Sequence, residues 1–373
     1  MDGTKKLSQN PWVKWGLVLI GIKLSLVSIG LITTTLLGQH FYPDNPGWLA
    51  VWYRLDVKEY LTVALNGYEP GTSNAYLSVR LPVVPLLIRG IACLGFQNLF
   101  VAAFVMATLV SFPLPGLMEK LASLDYPQPM TQRATWLFLI FPMSFCLHLP
   151  LSEGIFMALV LQAFLSARND DWLTAGFAAA LAGATRINGL LLFPALVVEM
   201  GHRYYKERKI SPQWAWIGLA PLGTLSYLLL NHFVFRNAFE FMVAEKDFYH
   251  QSIAWPWTGV LSLFKHAITK PLDDRLLYYY PECITVILLV VVTVWTCWKC
   301  RPSYSVWTLL NVGLFTSAHF ILSLPRYAIA IFPMYFFMAD MTRVRLVYVV
   351  ATGLSLSLFL YFALLFANGW WAF

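Results

Sequence analysis

The stretch Arg54-Leu55-Asp56-Val57-Lys58-Glu59-Tyr60-Leu61-Thr62-Val63-Ala64-Leu65-Asn66-Gly67-Tyr68 sets acidic, basic and aromatic side chains into the first long loop of a chain that otherwise reads as membrane. It follows one apolar run, Trp15 to Leu37, with Lys5, Lys6 and Lys14 on the N-terminal flank. Lys and Arg accumulate on cytoplasmic flanks, so the run starts inside and delivers Asp56 to the outer face. The run is too long for a secretory leader and no A-x-A-like site follows it, so it is expected to remain as a span. A carboxylate just beyond a first span is placed to act as a base on a substrate at the membrane surface.

The rest of the composition agrees with a lipid solvent. Of 373 residues, 58% are hydrophobic and 12% charged, with mean hydropathy +0.62. Soluble domains carry roughly 25% charged residues, which excludes a water-soluble fold. The formal charge of +7 is no nucleic-acid signal. Much of its surplus sits in short loops, at Arg203, Lys206, Arg208 and Lys209, at Lys299 and Arg301, and at Arg343 and Arg345. Such loops encode topology and attract anionic headgroups as a by-product. The five cysteines lie mostly inside apolar runs, and Cys297-Trp298-Lys299-Cys300 has C-x-x-C spacing without a βαβ context or a second pair.

Apolar segments occur near 15–37, 82–96, 99–118, 134–149, 152–167, 172–184, 187–201, 214–234, 283–299, 305–323, 327–341 and 345–367. If all crossed, the basic loop 203–209 would lie outside, against the positive-inside bias. Letting the short, Pro-punctuated segment 82–96 re-enter or lie along the surface restores the parity. The expectation is an all-α polytopic membrane protein, one transmembrane domain over 1–373, with about eleven crossings, N-terminus in and C-terminus out. Two substantial outer loops remain, 38–81 and 235–282, and they hold most of the acidic residues and many aromatics. Neither internal repeats nor inverted halves are visible.

Four ionisable residues on that outer face stand out as candidates for chemistry. Asp56 reads equally well as a general base and as an N-cap for the amphipathic stretch Val57–Leu65. Glu153, in Leu149-Pro150-Leu151-Ser152-Glu153-Gly154, stands at the junction of two spans. Arg186, in Gly183-Ala184-Thr185-Arg186-Ile187-Asn188-Gly189, interrupts an apolar stretch, where an unpaired Arg costs a few kcal/mol. The polar insertion also predicts a helix break, tolerated where backbone packs in protein or lines a cavity. Arg326, in Ser323-Leu324-Pro325-Arg326-Tyr327, stands where the positive-inside bias does not call for it, and a guanidinium grips phosphate with two donors at once. Trp255-Pro256-Trp257 reads as an interfacial belt or as a platform for a sugar ring or isoprenoid chain. No Walker loop, G-x-G-x-x-G, H-E-x-x-H or D-x-D is present, so the sequence gives no positive signal for a nucleotide cofactor or a metal site.

Together these motifs resemble a family. Asp56…Tyr60-Leu61…Ala64…Gly67-Tyr68 resembles the W-D-x-x-W-Y-L-x-I-A-x-x-G-Y signature of PIG-V-type mannosyltransferases. Leu81-Pro82-Val83-Val84-Pro85-Leu86-Leu87-Ile88-Arg89 is similar to F-P-L-Y-P-L-L-x-R. Phe141-Pro142-Met143-Ser144-Phe145…Ser152-Glu153 is similar to F-P-x-S-F-F-x-x-x-x-x-E-S. Thr185-Arg186, Trp255-Pro256-Trp257-Thr258-Gly259 and Leu324-Pro325-Arg326-Tyr327 follow in the family's order. Leu55 stands where the family has Trp, Glu59 where it has an aromatic, and Ser152-Glu153-Gly154 lacks the flanking Tyr and Ser.

The resemblance implies a GT-C glycosyltransferase fold and transfer of a sugar, mannose above all, from a polyprenyl- or dolichyl-phosphate donor to a glycan or glycolipid hydroxyl. It implies an inverting reaction with Asp56 as base and with Arg326 and Arg186 on the donor phosphate. Glu153, Tyr60, Trp255, Trp257 and Tyr327 would line the substrate groove. The chain is short for a eukaryotic member, which points to a prokaryotic homologue in the inner or plasma membrane; a eukaryotic one would sit in the endoplasmic reticulum. The rival from another class is a transporter or flippase of a lipid-linked or anionic solute, which would also account for an intramembrane Arg and a helix break. A transporter places its carboxylates at the midplane, whereas these cluster in outer loops.

Overall fold

The structure, a computed structural model, describes residues 11–36, 49–96 and 98–372. Among them helix follows helix, and the only β pairing is one isolated bridge between Ile253 and Ala318. Five stretches are long and apolar enough to cross a membrane: Lys14–Thr35, Leu99–Ser123, Pro212–Phe235, Leu272–Lys299 and Arg345–Ala367. The protein is an all-α, polytopic, integral membrane protein.

The helices that build and brace the functional end are α1 (Pro11–Thr35), α2 (Asp56–Asn66), α3 (Val83–Ala92), α4 (Ser152–Arg168), α5 (Trp172–Gly183), α6 (Leu192–Glu207), α7 (Ala220–Phe235), α8 (Pro256–Thr269), α9 (Leu324–Tyr327) and α10 (Arg345–Ala367). Asn368, just past α10, donates from Nδ2 to Thr33 Oγ1 near the end of α1 at 3.5 Å. At the opposite ends of these two helices, Lys14 and Trp15 share a hollow of about 300 Å³ with Tyr348. α1 and α10 therefore run parallel. α3, with ten residues, is about 15 Å long at 1.5 Å per residue, half of a ~30 Å hydrocarbon core. Alone it is too short to cross.

α4 runs through the middle of the protein. It is apolar on every side, and 13 of its 17 residues are buried, the pattern of a helix surrounded by protein rather than lipid. Its Phe164 meets Tyr304, Trp307 and Phe332 edge-on, with ring centroids 5.5, 6.0 and 5.1 Å away. At the C-terminal end Arg168 grips both oxygens of Asp125, at 2.6 and 2.9 Å, and donates to Tyr304 OH at 2.7 Å. The N-terminal end carries Glu153. With ionic contacts at both ends, α4 cannot slide, and the position of Glu153 is fixed.

α5 and α7 approach closely. A Cβ added at Gly223 would lie 1.6 Å from the carbonyl oxygen of Ala180. Small residues at such a contact let two backbones pack where lipid offers no hydrophobic drive. After α5 the helix breaks as its sequence predicts: Arg186 is extended, a 3-10 turn covers Ile187–Leu191, and α6 begins at Leu192. The break is packed in protein, where Asn188 Nδ2 donates to Asn311 Oδ1 at 2.9 Å.

Candidate active site

α2 starts sharply. Leu55 holds φ 46°, a region that L side chains with bulk seldom enter, and Asp56 is the first helical residue after it. Leu55, not Asp56, occupies the capping position, and no side chain caps the helix. The N-cap alternative for Asp56 is thereby removed. Its carboxylate turns instead to two arginines. Arg80 Nη2 donates to Oδ1 at 2.8 Å, and Arg326 Nη2 donates to Oδ2 at 2.5 Å. Glu59, one turn further along α2, falls on the same face and accepts from Arg80 Nε at 2.5 Å. Tyr249 OH, from the second predicted outer loop, also donates to Glu59, at 3.1 Å.

The other half of the site hangs on Glu153. Its Oε1 accepts from Arg326 Nε and from Arg186 Nη1, both at 2.7 Å. Arg186 Nη1 also reaches Ser152 Oγ at 2.8 Å. Glu153 is buried, and its Oε2 has no hydrogen-bond partner among the described residues. Arg326 sits on the single turn α9, whose entry is fixed by Ser323 in the left-handed region and by the Leu324 amide donating to Glu282 Oε2 at 3.0 Å. The result is one continuous chain of ion pairs, Glu59–Arg80–Asp56–Arg326–Glu153–Arg186.

Burial by itself would push the Asp56 carboxyl up, but Arg80 and Arg326 outweigh it and hold the group well below the usual carboxylate range. For Glu59 the balance is reversed. Burial raises it, and Arg80 does not offset the rise.

Asp56, Glu153, Arg186 and Arg326, which the sequence scattered over most of the chain, are thus brought together; Asp56 and Arg326 are 270 positions apart. Tyr60 is buried beneath the Arg80 guanidinium, 5.6 Å from ring centroid to Cζ. Tyr327 is half-buried, with Arg186 over its ring at 5.2 Å. Trp255 and Trp257 are different. They stack on each other at the start of α8, 5.1 Å apart and nearly parallel, and are 69% and 58% exposed. No contact among the described residues ties them to the ion-pair chain, and an exposed pair suits an interfacial belt. The first part of the predicted loop 38–81 lies outside the described residues.

Sequence reasoning missed Arg80 and Tyr249. The signal for Arg80 was present, since it too is an arginine in a loop predicted to be outer, the argument that singled out Arg326. Nothing in the sequence marks Tyr249, whose partner lies 190 positions away.

No protein-family model matches the chain, and no curated protein does. Among solved structures, ArnT from Cupriavidus metallidurans bound to undecaprenyl phosphate is similar, with a TM-score of 0.52 at 13% identity. The alignment covers 89% of this chain and 60% of that one, so this chain spans about three fifths of ArnT's length. The apo state of the same protein gives a TM-score of 0.48 at 16% identity, over the same shares. The chain has a GT-C fold. At that identity the likeness speaks for fold, not for substrate.

Proposed function

We propose that this protein is a membrane glycosyltransferase that moves a sugar from a polyprenyl-phosphate donor to a hydroxyl of a glycan or glycolipid on the outer face. The observation that carries this reading is the pairing of Asp56 with Arg326, a candidate base and a candidate phosphate ligand in direct contact at 2.5 Å. The fold shared with a protein that binds undecaprenyl phosphate supports the donor class. The finer reading, a PIG-V-type mannosyltransferase, is supported by the order of six motifs along the chain.

The reaction is a single inverting displacement. The acceptor oxygen attacks the anomeric carbon while Asp56 takes its proton, and the bond from that carbon to the phosphate oxygen breaks with its electron pair. The departing lipid phosphate is a weak base and needs no strong general acid, unlike the leaving group in two-carboxylate glycoside hydrolysis. Arg326 and Arg186 stabilise the charge that grows on it. Glu153 fixes both guanidiniums at one oxygen and so sets the spacing of that clamp.

The test is transfer from labelled polyprenyl-phosphate mannose into lipid extract by the purified protein, with Asp56→Asn alongside. Labelled product that requires Asp56 supports the reading. Uptake of labelled lipid-linked solute into vesicles, unchanged in Asp56→Asn and without new glycosidic product, would favour transport instead.

A further inference from the structure

Arg80 has no part in the reaction just proposed, yet it is among the most firmly built groups at the site. Its Nη2 holds Asp56 at 2.8 Å and its Nε holds Glu59 at 2.5 Å. Its guanidinium lies over the rings of Tyr60 and Tyr249, at 5.6 and 5.9 Å. Its own carbonyl accepts from Tyr68 OH at 2.5 Å. Arg326, by contrast, is shared between Asp56 and Glu153 through Nη2 and Nε.

The resting arrangement is its own counter-ion, with three guanidiniums facing three carboxylates. That conflicts with catalysis in two ways. A carboxylate with both oxygens on guanidiniums is a weak base, because proton abstraction needs a base poised near the working pH. The Nε–Nη2 edge of Arg326 is also engaged before any phosphate arrives. A donor phosphate resolves both conflicts if it replaces Asp56 on Arg326. It neutralises one of the two charges that suppress Asp56, and it releases Oδ2. Something must then keep the released carboxylate from following its partner or turning to solvent.

Resting on the donor class proposed above, we infer that Arg80 is the positioning residue of Asp56: the donor phosphate displaces Oδ2 from Arg326, and Arg80 keeps Oδ1, so that the freed oxygen faces the acceptor hydroxyl. The base is then switched on by the donor, and an acceptor meeting the enzyme without donor is not deprotonated. Because coupling between two binding events is reciprocal, a phosphate that loosens Asp56 must itself bind better once Asp56 has lost its charge.

The experiment titrates undecaprenyl phosphate into the purified full chain in lipid nanodiscs and reads affinity directly. Asp56→Asn is expected to bind on the order of tenfold more tightly than the wild type, about the worth of one charge-assisted hydrogen bond. Glu59→Gln removes a carboxylate that does not touch Arg326 and is expected to stay within about twofold, which separates displacement from a general loss of negative charge. Arg80→Gln is expected to keep undecaprenyl-phosphate affinity within about threefold while kcat for sugar transfer falls about a hundredfold, with Arg80→Lys recovering part of the rate. Asp56→Asn binding equally or more weakly, or Arg80→Gln turning over at the wild-type rate, overturns the inference. An Arg80→Gln protein that loses affinity and thermal stability together overturns it too, as the mark of a merely structural residue. If the wild type binds no undecaprenyl phosphate at all, the donor assignment itself fails and the inference falls with it.

Discussion

Arg326→Lys keeps the charge of Arg326 and removes its shape. In the structure the guanidinium spans two carboxylates, with Nε on Glu153 at 2.7 Å and Nη2 on Asp56 at 2.5 Å. A single ammonium cannot hold both positions at once, so at least one charge-assisted hydrogen bond is lost at a buried site. Such a bond contributes about 1.5–3 kcal/mol. Arg186 still holds Glu153 and Arg80 still holds Asp56, so neither carboxylate is left wholly unpaired and the fold should survive. If the lost donor serves the leaving phosphate, the same energy appears in the transition state, a fall of about 10- to 150-fold in kcat. The assay is steady-state transfer from a short-chain polyprenyl-phosphate sugar by wild type and variant in one detergent, with thermal unfolding measured alongside. A loss confined to KM would mean that Arg326 binds donor and transition state alike. Equal kcat and KM for the two proteins would remove Arg326 from the site and leave Arg186 as the phosphate ligand.

Asp56→Asn should fold, with a lowered melting temperature because Arg80 and Arg326 lose a shared counter-charge, and transfer should drop by about 10²- to 10⁴-fold, the range for removing a general base; near-normal turnover in the folded variant would discard Asp56 as the base. Asp56 is held below its ordinary range in the folded state, so its stabilising contribution is complete above the unfolded value of about 3.9 and is lost only as pH falls through the lower folded value. Melting curves should therefore show an acid-limb loss below about pH 4 that is smaller in Asp56→Asn, and identical acid limbs would contradict this. Trp255→Ala with Trp257→Ala should leave kcat within about twofold, since an exposed indole pair contributes belt rather than groove; a hundredfold loss would return both to the substrate groove. Gly223→Ala should fail to accumulate as folded protein, because its Cβ would meet the Ala180 carbonyl at 1.6 Å, and a well-folded variant with unchanged melting would show that α5 and α7 can part there.

Much of this is legible in the sequence alone. Apolar runs, the charge bias of short loops and the polar insertion around Arg186 each report a solvent or a break, and these are local properties. Asp56, Glu153, Arg186 and Arg326 could be picked out because ionisable groups near a membrane need a reason. What could not be read was who pairs with whom. Arg80 meets Asp56 only because the loop after α2 turns back over that helix, and Tyr249 meets Glu59 through a loop from elsewhere in the chain. The N-cap alternative for Asp56 turned on one backbone angle at Leu55, which no propensity encodes. Trp255-Pro256-Trp257 is ambiguous because the same residues suit a headgroup layer and a sugar ring, and only their exposure separates the two uses. Periodicity also overlooks interruptions inside buried segments. The run 134–149 reads as one apolar stretch, but its helix stops at Leu139 and resumes as a 3-10 turn at Ser144–His148.

The parallel course of α1 and α10 determines what can be attached to this protein, and where. The last turn of α10 comes up against the segment that leads into α2, with Phe366 stacked on Trp52 and Gly369 close to the Arg54 guanidinium. A tag inserted directly after α10 would therefore emerge beside Trp52 and Arg54, next to the start of α2. A tag inserted ahead of Lys14 would lie at the other end of the same two helices, where Lys14 and Trp15 meet Tyr348. Paired probes at these two positions would therefore sit a full helix apart, at opposite ends of the same two spans, and report on opposite aqueous spaces.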